Sequence, residues 1–235
     1  VRTKYGRTPL HYACLKKLNT PIVRMLLKHK AIVNIQDQFG RTPLHVACYH
    51  EAYHTMQVLL DNQANVHIKD LDSNTALHNA CFDNDNEDII KLLLSHKANI
   101  EERDASQKTP LLLACSKKTC YLPAIDVLLS HGAHVNAIDS SLRSSIHYLC
   151  QHQQHEHILE RLFLCNPNVN LQDLESKTPL HYACLSNNER HVQLLLEHHA
   201  NPNYLDGRSN TPLEIACLNQ NPTILNLLLS YQANV

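Results

Sequence analysis

The chain has 235 residues, 43% apolar and 18% charged, with a formal net charge of −1. That composition excludes a disordered segment, and near-neutrality excludes a global pull toward nucleic acid or anionic membranes. No run approaches the roughly 18 apolar residues of a membrane-spanning helix, so membrane insertion is not expected.

The opening stretch, VRTKYGRTPL, has no initiator Met and no apolar signal region. From Thr8 to Cys14 the chain reads TPLHYAC. Thr8 is a good N-cap, because its hydroxyl can take a backbone N–H of the first turn. Pro9 follows at the first helical position, where a missing N–H costs nothing. Leu10, Ala13 and Cys14 have the spacing of one buried helical face. The small Ala–Cys pair lets neighbouring helices approach closely. A second helix follows, with an apolar set of Ile22, Val23, Met25, Leu26 and Leu27. Then come the phrase AIVN and, before the next threonine, Asp37.

The same order returns along the whole chain. The position of Thr8 recurs at Thr42, Thr75, Thr109, Ser144, Thr178 and Thr211, in steps of 34, 33, 34, 35, 34 and 33. The phrases that follow are TPLHVAC, TALHNAC, TPLLLAC, SSIHYLC, TPLHYAC and TPLEIAC. Aspartates recur at Asp70, Asp104, Asp139, Asp173 and Asp206. Seven repeats thus begin near residues 6, 40, 73, 107, 142, 176 and 209, and residues 1–235 read as a single repeat domain. The 33-residue repeats begin at Gly40 and Ser176; the others carry extra residues between their helices, as in KKTCYLP at 117–123. The missing Met and a last repeat that stops at ANV read as ends cut from a longer chain.

This pattern resembles the ankyrin repeat over essentially the whole chain. The resemblance implies an all-α solenoid of stacked antiparallel helix pairs with outward β-hairpin loops between them. Stacking buries the apolar surface that a lone pair would leave wet. Two departures stand out. Where such repeats have Gly at the end of the second helix, only Gly132 does so; Lys30, Gln63, Lys97, Asn166, His199 and Gln232 fill the other places. In a left-handed conformation each non-Gly side chain costs roughly 1 kcal/mol. In the fifth repeat, from Leu142, Ser144 and Ser145 replace Thr-Pro and Leu149 replaces the small Ala. A larger side chain at a close helix contact predicts a bend or a loosened interface there.

Seven of nine cysteines (Cys14, Cys48, Cys81, Cys115, Cys150, Cys184, Cys217) recur at the repeat period, unlike a disulfide framework. They read as reduced, buried, small hydrophobes, which predicts an intracellular and most simply cytoplasmic location, or a host cytosol for a secreted bacterial effector. A histidine stands three residues before the cysteine at His11, His45, His78, His147 and His181; Leu112 and Glu214 replace it in the other two repeats. A nucleophile–base pair needs an orienter and an oxyanion site in one cleft, and nothing singles out one copy. The resemblance implies instead that this histidine bonds its own turn and tethers neighbouring loops. A second cluster, HYLCQHQQHEH, places His152, His155 and His157 near an inter-helix loop, where they could bind Zn²⁺ or sense pH. Its spacing fits no standard zinc pattern, and a solvated polar loop is the simpler reading. No phosphate-cradling loop, HExxH or GxSxG is present, so no catalytic residue, cofactor or metal ligand is assigned and the segment is not expected to be an enzyme.

The resemblance implies a concave palm of first helices with the loops as fingers. The two positions after each Ala–Cys pair face that palm. They include Leu15 and Lys16, Tyr49 and His50, Phe82 and Asp83, Lys117, His152, Leu185 and Leu218. The finger tips add Phe39, Arg41 and Leu71, with Leu174 and Arg208 in later repeats. Exposed aromatic and aliphatic groups in a row suit a protein-binding groove, with Tyr49 and Phe82 as the best anchors. Residues 1–36 hold eight Lys/Arg and no Asp or Glu, whereas the remainder carries 13 basic and 22 acidic groups; an acidic segment could dock on that basic face, and nucleic acid is not expected. The leading expectation is a scaffold or adaptor that binds a protein or peptide. Alternatives are a targeting or regulatory domain of a larger enzyme, channel or bacterial effector, and a metal- or pH-responsive module acting through residues 147–157.

Overall fold

The computed structural model describes residues 2–83 and 87–235. Every regular element among them is helical, as the all-α reading requires. The chain divides into two compact bodies, Val1–Leu113 with Asp126–Ala133, and Ala114–Ile125 with His134–Val235.

The N-terminal body is built on antiparallel pairs: α1 (Pro9–Ala13) with α2 (Thr20–Lys28), α3 (Pro43–Tyr49) with α4 (Tyr53–Asp61), and α5 (Ala76–Asp83) with α6 (Glu87–Ser95). First helices pack on first helices and second on second, α1 to α3 to α5 and α2 to α4 to α6. Leu10, Ala13 and Cys14 are buried, as their spacing requires. In α2 the outcome differs from the apolar pattern. Val23 is buried, but Ile22 and Met25 are exposed, because α2 has a second-helix neighbour on one flank only, α4. In α6, with its fuller apolar set, Ile89, Ile90, Leu92 and Leu93 are all buried. Two further helices, α7 (Pro110–Cys115) and α8 (Leu122–Ser130), belong to the fourth repeat. Residues 116–121 connect them, so most of KKTCYLP lies in the loop where the length change was expected.

The C-terminal body holds α9 (Ser145–Cys150), α10 (Glu156–Phe163), α11 (Pro179–Leu185), α12 (Glu189–Glu197), α13 (Pro212–Leu218) and α14 (Pro222–Ser230). Here the expected loosening of the fifth repeat does not occur between α9 and α11. Leu149 is completely buried, and Ser144 closes the same cap with His147 as threonine does elsewhere. The divergence shows instead in the buried Ser145 Oγ, which has no hydrogen-bond partner; the left-handed Leu142 (φ 60°) is no departure, since Ser73, Gln107, Ser176 and Ser209 are left-handed at the same place.

The loops between repeats are hairpin-shaped turns, without paired strands among the described residues. Each is fixed by its aspartate. The N–H groups of Phe39 and Arg41 donate to Asp37 Oδ1 at 2.9 and 3.0 Å, and the Gly40 N–H donates to the Asp37 carbonyl at 3.0 Å. Single backbone bonds link successive tips, such as Leu71 N–H to Phe39 O in the first body and Leu174 N–H to Ser141 O in the second, both 3.0 Å. At Gly40 the next finger comes so close that a Cβ would meet Leu71 N at 2.8 Å, which accounts for glycine there.

The second helices do end in left-handed residues, at Lys30, Gln63, Lys97, Gly132, Asn166, His199 and Gln232. Several of the exposed carbonyls at these ends are satisfied by an asparagine of the preceding repeat. Asn34 Nδ2 donates to Gln63 O, Asn170 Nδ2 to His199 O and Asn203 Nδ2 to Gln232 O, at 3.1–3.2 Å. The same asparagines accept the N–H of Asn65, Asn201 and Asn234 at 2.8 Å. Among the described residues no helix is long and apolar enough to cross a membrane.

Candidate binding surface

The recurring histidine is fully engaged. His11 Nδ1 accepts the Thr8 N–H at 3.2 Å, and the Nε2–H donates to the Arg41 carbonyl of the next repeat at 3.0 Å. His45, His78, His147 and His181 make the same pair of bonds, reaching the carbonyls of Asn74, Lys108, Lys177 and Asn210. Each thus closes a cap on its own helix and ties the following finger. Glu214 closes the same cap in the last repeat, accepting the Thr211 N–H at 2.6 Å. Burial holds these imidazoles below their ordinary range, with His147 at about 4. Burial likewise pushes the Cys14 and Cys184 thiols up to about 12. Neutral imidazole beside neutral thiol is the reverse of an activated nucleophile. None of the nine cysteines is in a disulfide. Cys217 departs from the expected burial and is exposed, on the helix α13 that packs chiefly on α11 and α14.

The cluster at 147–157 does not converge on a metal site; among the described residues no group of three candidate ligands does. His155 is buried, 2.9 Å from the Lys118 carbonyl through Nε2. The His152 ring lies 6.3 Å from it, edge to face. His157 is exposed.

On the N-terminal body, five of the residues singled out by the palm pattern surround one depression of about 460 Å³: Leu15, Phe39, Arg41, Tyr49 and His50. Helices α1 and α3 supply Leu15, Tyr49 and His50 from their C-terminal ends, and the Asp37 turn supplies Phe39 and Arg41. Tyr49 is 58% exposed and Phe39 45% exposed. Arg41 lies over the Phe39 ring, 4.5 Å from its centroid, with its Nη2 3.1 Å from Asp37 Oδ2. Phe82, 48% exposed, lines a second depression of about 310 Å³. The two share Asp72, Asn74 and Asn79 as a common wall, so together they form one groove.

The other singled-out residues lie elsewhere. Lys16 is exposed beside Leu15. The exposed Leu71 is tied at the rim by its backbone, and its side chain does not line the groove. The side chain of Asp83 lies outside the described residues. Lys117, His152, Leu185 and Leu218 belong to the C-terminal body, where Lys117 and His152 are half-buried and Leu185 and Leu218 exposed. The palm pattern passed over Arg7, Asp70, Asp72, Asn74, Asn79 and Asp104, all of which line the groove. A signal for them exists in the sequence. The residue before the helix cap is basic in five repeats (Arg7, Arg41, Lys108, Arg143, Lys177) but is Asn74 in the third and Asn210 in the seventh.

Of the eight basic residues near the N-terminus, Arg7 reaches Asp37 at 3.4 Å and Lys17 reaches Glu51 at 2.6 Å. Lys4 lies over the Tyr5 ring.

Three copies of the family model for ankyrin repeats match residues 1–70, 54–139 and 146–235. Human inversin is 30% identical over 118 residues, which cover 50% of this chain and 11% of that protein. A probable serine/threonine-protein kinase of Dictyostelium discoideum is 33% identical over 124 residues, 48% of this chain and 14% of that protein. The matched segments are therefore a small fraction of these relatives. Among solved structures, the ankyrin repeat domain of Bcl-3 superposes with a TM-score of 0.82 at 23% identity, covering 96% of this chain and 100% of that one. The human ASB11 ankyrin repeat domain gives 0.81 at 21% identity, covering 97% and 100%.

Proposed function

Because the chain belongs to the ankyrin-repeat family, whose repeats mediate contacts between proteins, we propose that it is a scaffold that holds a partner polypeptide in the groove of its N-terminal body. The observation that carries this reading is the pairing of an open depression with exposed aromatic walls. Tyr49, Phe39 and Phe82 offer large rigid area at low entropic cost, and solvated turns have no structural use for it. Ankyrin repeat domains are typically non-catalytic, and the engaged histidines and neutral thiols support that role here. Residues 1–235 act as one binding domain, and an intracellular compartment suits cysteines that form no disulfide.

Tyr49→Ala combined with Phe82→Ala tests it. Both side chains are half-exposed, so the double variant keeps the wild-type circular dichroism spectrum and thermal midpoint. Capture of partner polypeptides on the immobilised chain falls by about tenfold or more. Unchanged capture by the folded variant sinks the reading.

A second reading, that the segment targets or regulates a larger protein, is favoured by one observation: the matched stretch is only 11–14% of inversin and the Dictyostelium kinase. The basic face supports a second contact, with an acidic segment, since Lys16, Arg24, Lys28 and Lys30 are exposed. Salt-sensitive association that survives the Tyr49/Phe82 change is the result expected of such a contact.

A further inference from the structure

The six turn aspartates are one motif repeated, so they serve as controls for one another. Asp37 Oδ2 is taken by Arg7 and Arg41. Asp139 Oδ2 accepts the Tyr148 hydroxyl, and Asp173 Oδ2 accepts that of Tyr182 at 2.6 Å, with Arg143 at 3.6 Å. Asp206 has the Asn210 amide at 3.4 Å, but on Oδ1, the oxygen that also accepts its turn N–H groups. Among the described residues, Asp70 and Asp104 have backbone donors only, on Oδ1: the N–H groups of Asp72 and Asn74, and of Ser106 and Lys108. The cause is local sequence. Nine residues after the aspartate, where the later repeats have Tyr148 and Tyr182, stand Asn79 and Leu113. Four residues after Asp70 stands Asn74 in place of Arg or Lys.

Asp70 is also the one of the six that is not buried. Asp70 lines the first depression with Tyr49, and the exposed Asp72 with Asn74 and Asn79 forms the wall shared with the depression of Phe82. The two arginines of the groove are already committed to Asp37. Unpaired acceptors at the centre with rings on both sides match a cation on an apolar stem.

We propose that the groove selects a polypeptide segment presenting a Lys or Arg side chain to Asp70 and Asp72, with a bulky apolar residue beside it against Tyr49 or Phe82. This deepens the groove reading and rests on it. The charge that the groove accepts is opposite to that sought by the basic face, so the two surfaces take chemically distinct parts of a partner.

Positional-scanning libraries of acetylated, amidated nonapeptides passed over the immobilised 235-residue chain test it. The expected result is retention of pools fixed as Lys or Arg, with apolar pools enriched at a neighbouring position and retention falling as salt rises. Asp70→Asn with Asp72→Asn keeps the Oδ1 acceptor that folds the turn. It lowers the preference for Lys and Arg by about fivefold and leaves the apolar preference intact. Retention dominated by Asp, Glu or uncharged pools, still lost in the Tyr49/Phe82 variant, overturns the cation assignment but not the groove. A cation preference that survives Asp70→Asn with Asp72→Asn overturns it as well. No retention of any pool removes both.

Discussion

The turn at Asp173 and the turn at Asp70 have the same backbone and different fates. Both aspartates accept two backbone N–H bonds on Oδ1, from Glu175 and Lys177 in one case and Asp72 and Asn74 in the other. At Asp173 the second oxygen is closed off by Tyr182 and Arg143, and the carboxylate is buried. Asp70 has no such clamp among the described residues and is half-buried at the groove. What stands four and nine positions later thus decides whether the second oxygen is clamped, and not by itself whether the carboxylate is buried, since Asp206, followed by Asn210 and Ile215, is buried too.

The largest expected effect tests that contrast directly. Asp173→Ala removes a buried acceptor serving two backbone donors and a buried hydroxyl, and leaves Arg143 without its carboxylate. We expect a loss of about 3 kcal/mol in urea unfolding. Asp70→Ala removes the same turn bonds at a more exposed site and costs about 1 kcal/mol. Equal losses at the two sites would show that the side-chain clamp adds nothing, and the comparison would fail.

Histidines give a second contrast. In the N-terminal body His11, His45 and His78 have both ring nitrogens bonded. In the C-terminal body His191 is completely buried with neither nitrogen bonded. Burial first, and then the neighbouring His155, hold it down at about 4. The folded state therefore prefers the neutral ring. The stability tied to it is whole above the unfolded value of 6.5 and drains away as pH falls toward about 4, by about 3 kcal/mol. His191→Leu removes an unpartnered polar ring and its titration together. It raises stability at pH 7 by about 1 kcal/mol and makes the loss between pH 6.5 and 4 shallower, as read by urea midpoints at a series of pH values. An unchanged acid slope would mean that His191 finds a partner in solution.

The fold was legible because its signals are local and repeated. Thr8, Pro9, Leu10 and Cys14 each do what spacing and capping chemistry require, and seven repeats of the same phrase leave little room for another period. The histidine's inward role was legible from its repetition, although its acceptor, a carbonyl 29 or 30 residues onward, was not. The groove was half legible. Tyr49 and Phe82 announce themselves as large side chains at a solvated position. Asp70 does not, because six of the seven repeats have that aspartate and nothing in the phrase marks the exposed copy: Asp206, also followed four residues later by Asn, is buried. Ile22, Met25 and Cys217 were misread for a related reason: a periodic apolar position is buried only when a neighbouring repeat lies against it. The role of Asn34, Asn170 and Asn203 was not legible, since their bonds to the next repeat's carbonyls are non-local.

The smallest effect concerns the ends of the second helices. Gly132 and Lys97 occupy equivalent left-handed positions, with φ of 86° and 64°. At Gly132 no atom lies within 4 Å of where a Cβ would stand, so the glycine there is chosen for conformation and not for space. Lys97 has the same backbone bonds, its N–H to Leu94 O at 2.9 Å and the following Ala98 N–H to Leu93 O at 3.0 Å, with an exposed side chain. Lys97→Gly therefore removes the Cβ strain of the left-handed region without losing a contact, while adding some freedom to the unfolded chain. The balance is a neutral change or a gain of up to about 1 kcal/mol, visible as an unchanged or raised thermal midpoint. A clear drop would show that the lysine's stem or charge holds the helix end, and that the strain is offset by something the glycine cannot supply.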